Sequence, residues 1–505
     1  MRVSINLNDN IKFNNKATHC IGTGRMDLAM HKEYLEELKL VQEEIGFDFI
    51  RGHGLFSKYM GIYRDNFFTD NKPEYCFTYL DMVMDSYIEL NIRPLLELGF
   101  MPEDLASGDT TTFWWKGNIT PPKDYDKFAN LVTATLTHLI ERYGEEDVLS
   151  WPVEVWNEPN LPSFWKDADM QEYFKLYEVT SAAVKRANPK FKVGGPAICG
   201  VDDERWLKSF LDFVKEKKLP LDFVSRHHYT SYNPKRSGHY AYINLHEPEY
   251  AFGCLERSRD IVDSYDEFKG MEIFITEFNT SYVPNAPIHD TTLNAAYVAH
   301  MLSKLGDKQD SYSYWTFGDV FEEMGVAPAE FHGGFGLVAN GLIPKPTFWT
   351  FAFYKKLQGR CVCRNDNMVA TLTDSGDLRI VLWNPDLHDE DSVFETTLEF
   401  ENMSDGEYLV TEKFVDENNG NPLKLWHEMG EPASLTAKEK TVLREIARPG
   451  FLSSNVEVKE GKTSKYVKLQ PNEIRMIEFK KIRRTSDSGY DYYKTIHQVS
   501  IPDSQ

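Results

Sequence analysis

No stretch of this chain approaches the roughly 18 consecutive apolar residues of a membrane span. The opening MRVSINLNDN lacks a basic segment followed by an apolar one, so no targeting signal is read and a cytoplasmic location is expected. Cysteine is scarce: Cys20, Cys76, Cys199, Cys254, Cys361 and Cys363 are scattered, without a CxxC pair or zinc-ligand spacing. Neither a disulfide framework nor a metal centre is expected, and free thiols suit a reducing compartment. Positive charge is in deficit, leaving a formal net charge of −22. That field repels nucleic acid, anionic membranes and polyanionic saccharides, so a neutral substrate fits best. HExxH and GxSxG are absent, and the glycines of FHGGFG at 331–336 do not lead from a strand into a helix with nucleotide-binding spacing.

What is present is organised around WPVEVWNEPN at 151–160. Trp151, Val153 and Val155 alternate as a short buried strand, and Asn157 and Glu158 crowd its far end before Pro159. A carboxyl group there, beside Trp156, is poorly solvated, which disfavours its charged form and lets it hold a proton near neutral pH. MEIFITEFNT at 271–280 repeats the grammar: Ile273, Phe274 and Ile275, then Glu277 and Asn279. Either glutamate alone could cap a helix or end a strand in a salt bridge; two in matching contexts point to a pair.

At 505 residues the chain is expected to hold one large domain and a smaller one. Short apolar strands alternate with helical stretches, at 18–24, 47–53, 92–99, 152–158, 192–199, 222–229, 272–279 and 311–317. Eight such units predict a (β/α)8 barrel over residues 14–330. After PTFWTFAFYKKL the period becomes strand-like, with Asp-Ser-Gly and Asn-Asn-Gly turns, predicting an antiparallel β-sandwich over 331–482 joined by residues 1–13. A helical insert is expected near 420–447. The tail at 483–505 has no core-facing period and either stays disordered or docks on a neighbouring subunit.

In a parallel barrel the carboxyl ends of all strands open on one face, so Glu158 and Glu277 can meet there. A retaining glycosidase needs one ionised carboxylate as nucleophile and one protonated acid about 5–5.5 Å away. Glu277 suits the first role and Glu158 the second, because Arg51, a fixed cation, and Tyr229, a hydroxyl donor, would hold Glu277 ionised. Asn157 is placed to bond a sugar 2-hydroxyl. His53 and His227 are candidate hydroxyl-binding groups, though a lone histidine is as often structural; alternation sends His228 to the other face. Trp315 could floor a sugar subsite, and Trp114 and Trp115 could wall it, or all three could be core. Glu322 and Glu323 bind hydroxyls or cap a helix.

Taken with IRGHG at 50–54, RHHY at 226–229, SYWTF at 313–317 and FHGGFG at 331–336, the motifs WNEPN and ITEFN resemble glycoside hydrolase family 39 and its bacterial β-xylosidases. The resemblance spans nearly the whole chain. It implies Glu158 as acid/base, Glu277 as nucleophile, xylose contacts from His53, Asn157, His227, Tyr229 and the Glu322/Glu323 pair, and a homotetramer in which terminal segments take part. The expected activity is exo-acting release of xylose from xylo-oligosaccharides with retention, using no metal or organic cofactor. A β-glucosidase, an α-L-arabinosidase or a saccharide-binding relative without turnover stays open, since a pocket discriminates one hydroxymethyl group by only about 1–3 kcal/mol. The α-L-iduronidases of the same family act on acidic glycosaminoglycans, which the negative charge disfavours.

Overall fold

The computed structural model describes residues 2–388, 390–483 and 489–497. Eight parallel strands close into a barrel: β1 Cys20–Arg25, β2 Phe49–His53, β3 Arg93–Glu97, β4 Val153–Glu154, β5 Val193–Ile198, β6 Phe223–Tyr229, β7 Glu272–Asn279 and β8 Ser311–Tyr314. Neighbours in the sheet are neighbours in sequence, and β8 pairs with β1. All eight fall on the stretches expected from periodicity. The helices between them start at side-chain caps where the sequence supplies them. Asp124 accepts from Lys127 N ahead of Tyr125–Tyr143, and Asp169 from Gln171 N and Glu172 N ahead of Met170–Ala187.

The barrel interior is layered by polarity. Cys20, Leu95, Phe223 and Phe274 form a small apolar cluster toward the amino ends of the strands. Charged side chains occupy the opposite, carboxyl-end rim, where a parallel barrel exposes its loops.

The last βα unit extends past the expected boundary at 330. The helix Pro346–Lys356 packs on Thr292–Leu305, with Thr350 Oγ1 donating to Ala295 O at 2.9 Å, so it belongs to the barrel layer. A long loop between β8 and this helix breaks the strand–helix rhythm, which is why the sequence pattern placed the helix elsewhere.

The remaining strands form two sheets. One runs Arg360–Asn365, Met368–Leu372, Leu378–Asn384, Glu473–Lys481, Gly406–Val415, Gly450–Val458; the other joins Arg2–Asn6, Phe394–Glu401 and Thr463–Leu469. Ile5, Leu382, Leu398, Phe400 and Phe479 share the core between them. Arg2–Asn6 pairs parallel with Phe394–Glu401, an exception within an otherwise antiparallel sandwich. Two helices, Pro422–Glu428 and Ala437–Ile446, occupy the insert, the second opened by a Thr436/Glu439 capping box. They bury Trp426 and Leu443 against Phe331, Ala339 and Ile343 of the β8 loop. Within the expected tail, Tyr492–His497 is helical, and residues 484–488 and 498–505 lie outside the described residues.

A buried ion cluster holds the base of that loop. Lys345, fully buried, lies 2.6 Å from both Asp290 and Asp319 and donates to Gly334 O at 2.8 Å. Replacing it by methionine leaves two buried carboxylates without their cation, so Lys345→Met is expected to lose about 3–5 kcal/mol of stability. Urea unfolding followed by tryptophan fluorescence measures this; an unchanged midpoint would show that the cluster is dispensable.

Candidate active site

The polar ends of the barrel strands converge on one buried cation. Arg51 Nε donates to Glu154 Oε2 at 2.6 Å, Nη1 to Glu277 Oε1 at 2.7 Å and Nη2 to Asn157 Oδ1 at 3.0 Å, and Nη2 also lies 2.9 Å from Glu97 Oε2. The guanidinium and the carboxyl groups of Glu97 and Glu154 have no exposed surface. Burial of this kind is tolerable only when every charge is paired and hydrogen-bonded. Thr276 Oγ1 completes Glu154 by donating to Oε1 at 2.8 Å.

Two local departures from strand geometry aim the glutamates. Regular alternation past β4 would send Asn157 and Glu158 to opposite faces. Trp156 and Glu158 instead adopt φ of 71° and 43°, and both Asn157 and Glu158 line one cavity. In the β6–β7 ladder the register shifts between Arg226 and His227, which sets His227 opposite Glu277 and Tyr229 opposite Asn279.

Carboxylate oxygens of Glu158 and Glu277 and a ring nitrogen of His227 all lie within 4.8 Å of one another. Their surroundings differ. Glu277 receives Arg51 and the Tyr229 hydroxyl, at 2.7 Å each. Glu158 lies against His227 Nδ1 at 2.8 Å and has no direct bond to the guanidinium among the described residues. Burial, and then the charge of Glu277, push the Glu158 carboxyl well above the usual carboxylate range. Burial raises Glu277 as well, but Arg51, His53 and the Tyr229 hydrogen bond oppose it, so Glu277 is the member of the pair that ionises. His227 is driven well below its ordinary range by burial and by Arg51, and is therefore neutral.

The cavity holding these groups has a volume of about 570 Å³ and is also lined by His53, Phe113, Tyr229, Trp315, Glu323 and Phe335. His53 Nδ1 bonds Glu97 Oε2 at 2.7 Å, turning Nε2 toward Glu277 and Glu323, at 3.6 and 3.8 Å. Glu323 is raised well above its usual range by burial and by the neighbouring glutamates. Trp315 packs its ring against Gly22, where an added Cβ would come within 2.4 Å of Cε3. Gly22 is thus what lets the indole lie flat on the barrel rim.

Several sequence expectations need correction. His227 is not open to the cavity; it is enclosed between the two carboxyl groups. His228, expected on the outer face, reaches the cavity beyond the strand end. Glu322 has φ of 63° and pairs with Arg25, facing a separate cavity, so only Glu323 of that pair enters the site. Trp114 is 56% exposed and lines no part of the main cavity; its backbone N–H donates to Glu323 O at 2.8 Å. Trp115 is core, stacked on Phe113. Phe113, one residue before these tryptophans, is the aromatic wall that sequence reasoning missed. The bond of Glu97 to His53 and the part played by Glu154 emerge only from the fold.

The family model for glycosyl hydrolases family 39 matches residues 1–463. The chain belongs to glycosyl hydrolase family 39. Within the family, it is 47% identical over 485 residues to a β-xylosidase of Geobacillus stearothermophilus, covering 95% of this chain and 96% of that one. A β-xylosidase of Caldicellulosiruptor saccharolyticus is 33% identical over 87% of this chain and 90% of its own. The crystal structure of a monomeric β-xylosidase from Caulobacter crescentus CB15 superposes with a TM-score of 0.88 at 29% identity, covering 96% of this chain and all of that one.

Glu158, His227 and Glu277 are also the residues of this family 39 site that could hold a metal ion. Arg51, 2.7 Å from Glu277, already supplies the positive charge that a cation would bring there.

The raised pKa of Glu158 bears on stability. A carboxyl whose folded pKa exceeds its unfolded one favours the fold at low pH, and that contribution is lost as pH rises through the folded value. Glu158→Gln is therefore expected to unfold at a higher temperature than the parent above about pH 7, and at nearly the same temperature below about pH 4. Calorimetry across that range checks the sign; a variant less stable at alkaline pH would contradict a protonated Glu158.

Proposed function

We propose that this chain is a retaining β-xylosidase that removes xylose from the non-reducing ends of xylo-oligosaccharides. The observation that carries the reading is the close approach of two glutamates held in opposite protonation states, in a family whose relatives named above are β-xylosidases. Glu277 attacks the anomeric carbon while Glu158 gives its proton to the departing glycosidic oxygen. The C1–O bond breaks and a glycosyl ester on Glu277 forms. Glu158, now a carboxylate, takes a proton from water, whose oxygen displaces Glu277 and restores the original configuration. No metal or organic cofactor enters these steps.

Around the sugar, Trp315 supplies an apolar floor. Asn157, its Oδ1 engaged by Arg51, offers Nδ2 to the 2-hydroxyl. His53 Nε2 and the protonated Glu323 offer further hydroxyl contacts. Arg51 and Tyr229 hold Glu277 as an anion, and His227 serves the carboxyl pair instead of the sugar.

We further propose a cytoplasmic homotetramer. Six free cysteines suit a reducing compartment. A hairpin over Tyr63–Tyr75 presents Phe67 and Phe68 at 82% and 92% exposure, a surface suited to burial against another subunit.

Glu277→Ala is expected to abolish turnover of nitrophenyl β-xyloside and to recover it with azide as α-xylosyl azide; unimpaired hydrolysis would remove Glu277 from the mechanism. Glu158→Ala is expected to lose about 10²–10⁴-fold on xylobiose and much less on aryl xylosides with good leaving groups. Equal losses on both would refute the acid role. Proton NMR early in the reaction identifies the sugar and anomer: β-xylose supports the proposal, whereas glucose, arabinose or no release from the matching glycosides would replace it with one of the alternatives.

A further inference from the structure

The cavity is larger than the sugar site just described. Beyond Glu158 it continues between the residues that follow β5, Cys199 to Val201, and the end of β6, and on to Tyr250 and Arg257 of the helix Pro248–Asp263. Glu158 lines the same cavity: its backbone N–H donates to Ala197 O at 2.9 Å, and Asn160, two residues on, donates to Cys199 O at 3.1 Å. An acid that protonates the glycosidic oxygen must face the leaving group, so whatever is released lies beside Glu158, and this outer lobe of the cavity offers room for it.

The lobe carries a polar atom that the fold leaves without a partner. His228 is 6% exposed, lines the cavity, and its Nε2 has no hydrogen-bond partner among the described residues. A buried polar atom of this kind costs stability unless a ligand or water completes it. Burial and Arg226 lower the His228 pKa to about 3, so the ring is neutral and can either donate or accept at Nε2.

The charges nearby are already spent. Arg226 Nη2 pairs with Asp203 at 2.9 Å and Nη1 bonds Ser258, while Arg257 Nε pairs with Glu204 at 3.3 Å. At the lip, the His246 ring stacks on Tyr250 at 4.1 Å and lies 3.6 Å from the Tyr232 ring. Tyr250 is 52% exposed and lines the lobe. A neutral histidine, paired cations and a propped aromatic ring suit an uncharged, hydroxylated ring with an apolar face.

Resting on the β-xylosidase reading, we propose that this outer lobe is the subsite for the sugar released, with His228 Nε2 hydrogen-bonding one of its hydroxyls and Tyr250 covering its apolar face. His228 is thus a specificity-determining residue for saccharide over aryl leaving groups. The same lobe presents acceptors to the glycosyl-enzyme: an acceptor hydroxyl gives its proton to Glu158, its oxygen bonds to C1, and the ester to Glu277 breaks, so a new glycosidic bond forms in place of hydrolysis.

The test is the ratio of kcat/KM for xylobiose to that for nitrophenyl β-xyloside. His228→Ala is expected to lower this ratio about tenfold, the effect of losing one hydrogen bond to a neutral group, and His228→Gln to recover part of it. Tyr250→Ala, at a half-exposed position that the fold does not depend on, is expected to lower it in the same direction, which keeps the test open if His228→Ala fails to fold. A ratio unchanged in His228→Ala, or in Tyr250→Ala where only that variant folds, overturns the subsite. Failure of the parent protein to cleave either substrate would instead overturn the β-xylosidase reading on which it rests.

Discussion

The site depends on one guanidinium that has no access to water. Arg51 lies among Glu97, Glu154 and Glu277, and each of these carboxylates is acceptable in the barrel interior only because the cation is there. One positive charge cannot neutralise every acid in the cluster. Burial and the neighbouring carboxyl groups push Glu158 and Glu323, which Arg51 does not touch, well above the usual carboxylate range. Within the close pair, Glu277, bonded to Arg51 and Tyr229, is the member that ionises, and Glu158, without a direct bond to the guanidinium, keeps its proton. In the proposed reaction, the division of labour between nucleophile and acid comes from a charge shortage built into the rim.

That arrangement was partly legible in the chain. Short apolar stretches located the eight strands, and Arg51, Glu158, His227 and Glu277 near the ends of four of them marked the rim, because a parallel barrel leaves few other places for ionisable groups. What alternation could not give was direction at the strand ends. The positive φ of Trp156 and Glu158, the register shift before His227 and the left-handed Glu322 each interrupt a period of two. His227, His228 and Glu322 accordingly lie in surroundings that strand alternation does not predict. Glu154 reads in sequence as an ordinary strand residue. Only closure of the barrel reveals that it faces Arg51 across the interior.

The parts outside the strands are coupled to the site through one loop. Phe335, on the cavity wall, belongs to the segment anchored by Lys345, Asp290 and Asp319, and the same segment packs Phe331 and Ile343 against the insert helices. The accessory region thus buttresses one wall of a pocket built by the barrel. Interiors packed this closely transmit displacements, so the position of Phe335 is fixed from both sides.

In the proposed two-step reaction, His227 supplies an internal adjustment. Its Nδ1 lies 2.8 Å from Glu158 and 3.3 Å from Glu277, and the ring stays neutral. In the free protein, burial and then the negative charge of Glu277 hold the proton on Glu158. Once Glu277 becomes an ester that charge is gone, and so is a principal reason for Glu158 to stay protonated. Its pKa falls at the stage when a base is needed. The charge has moved from one carboxyl to the other, and His227 Nδ1 already lies within reach of the carboxyl that receives it. A protonated histidine there would stabilise both carboxylates at once and erase the difference on which the acid role depends, which is why burial of this ring matters as much as its position.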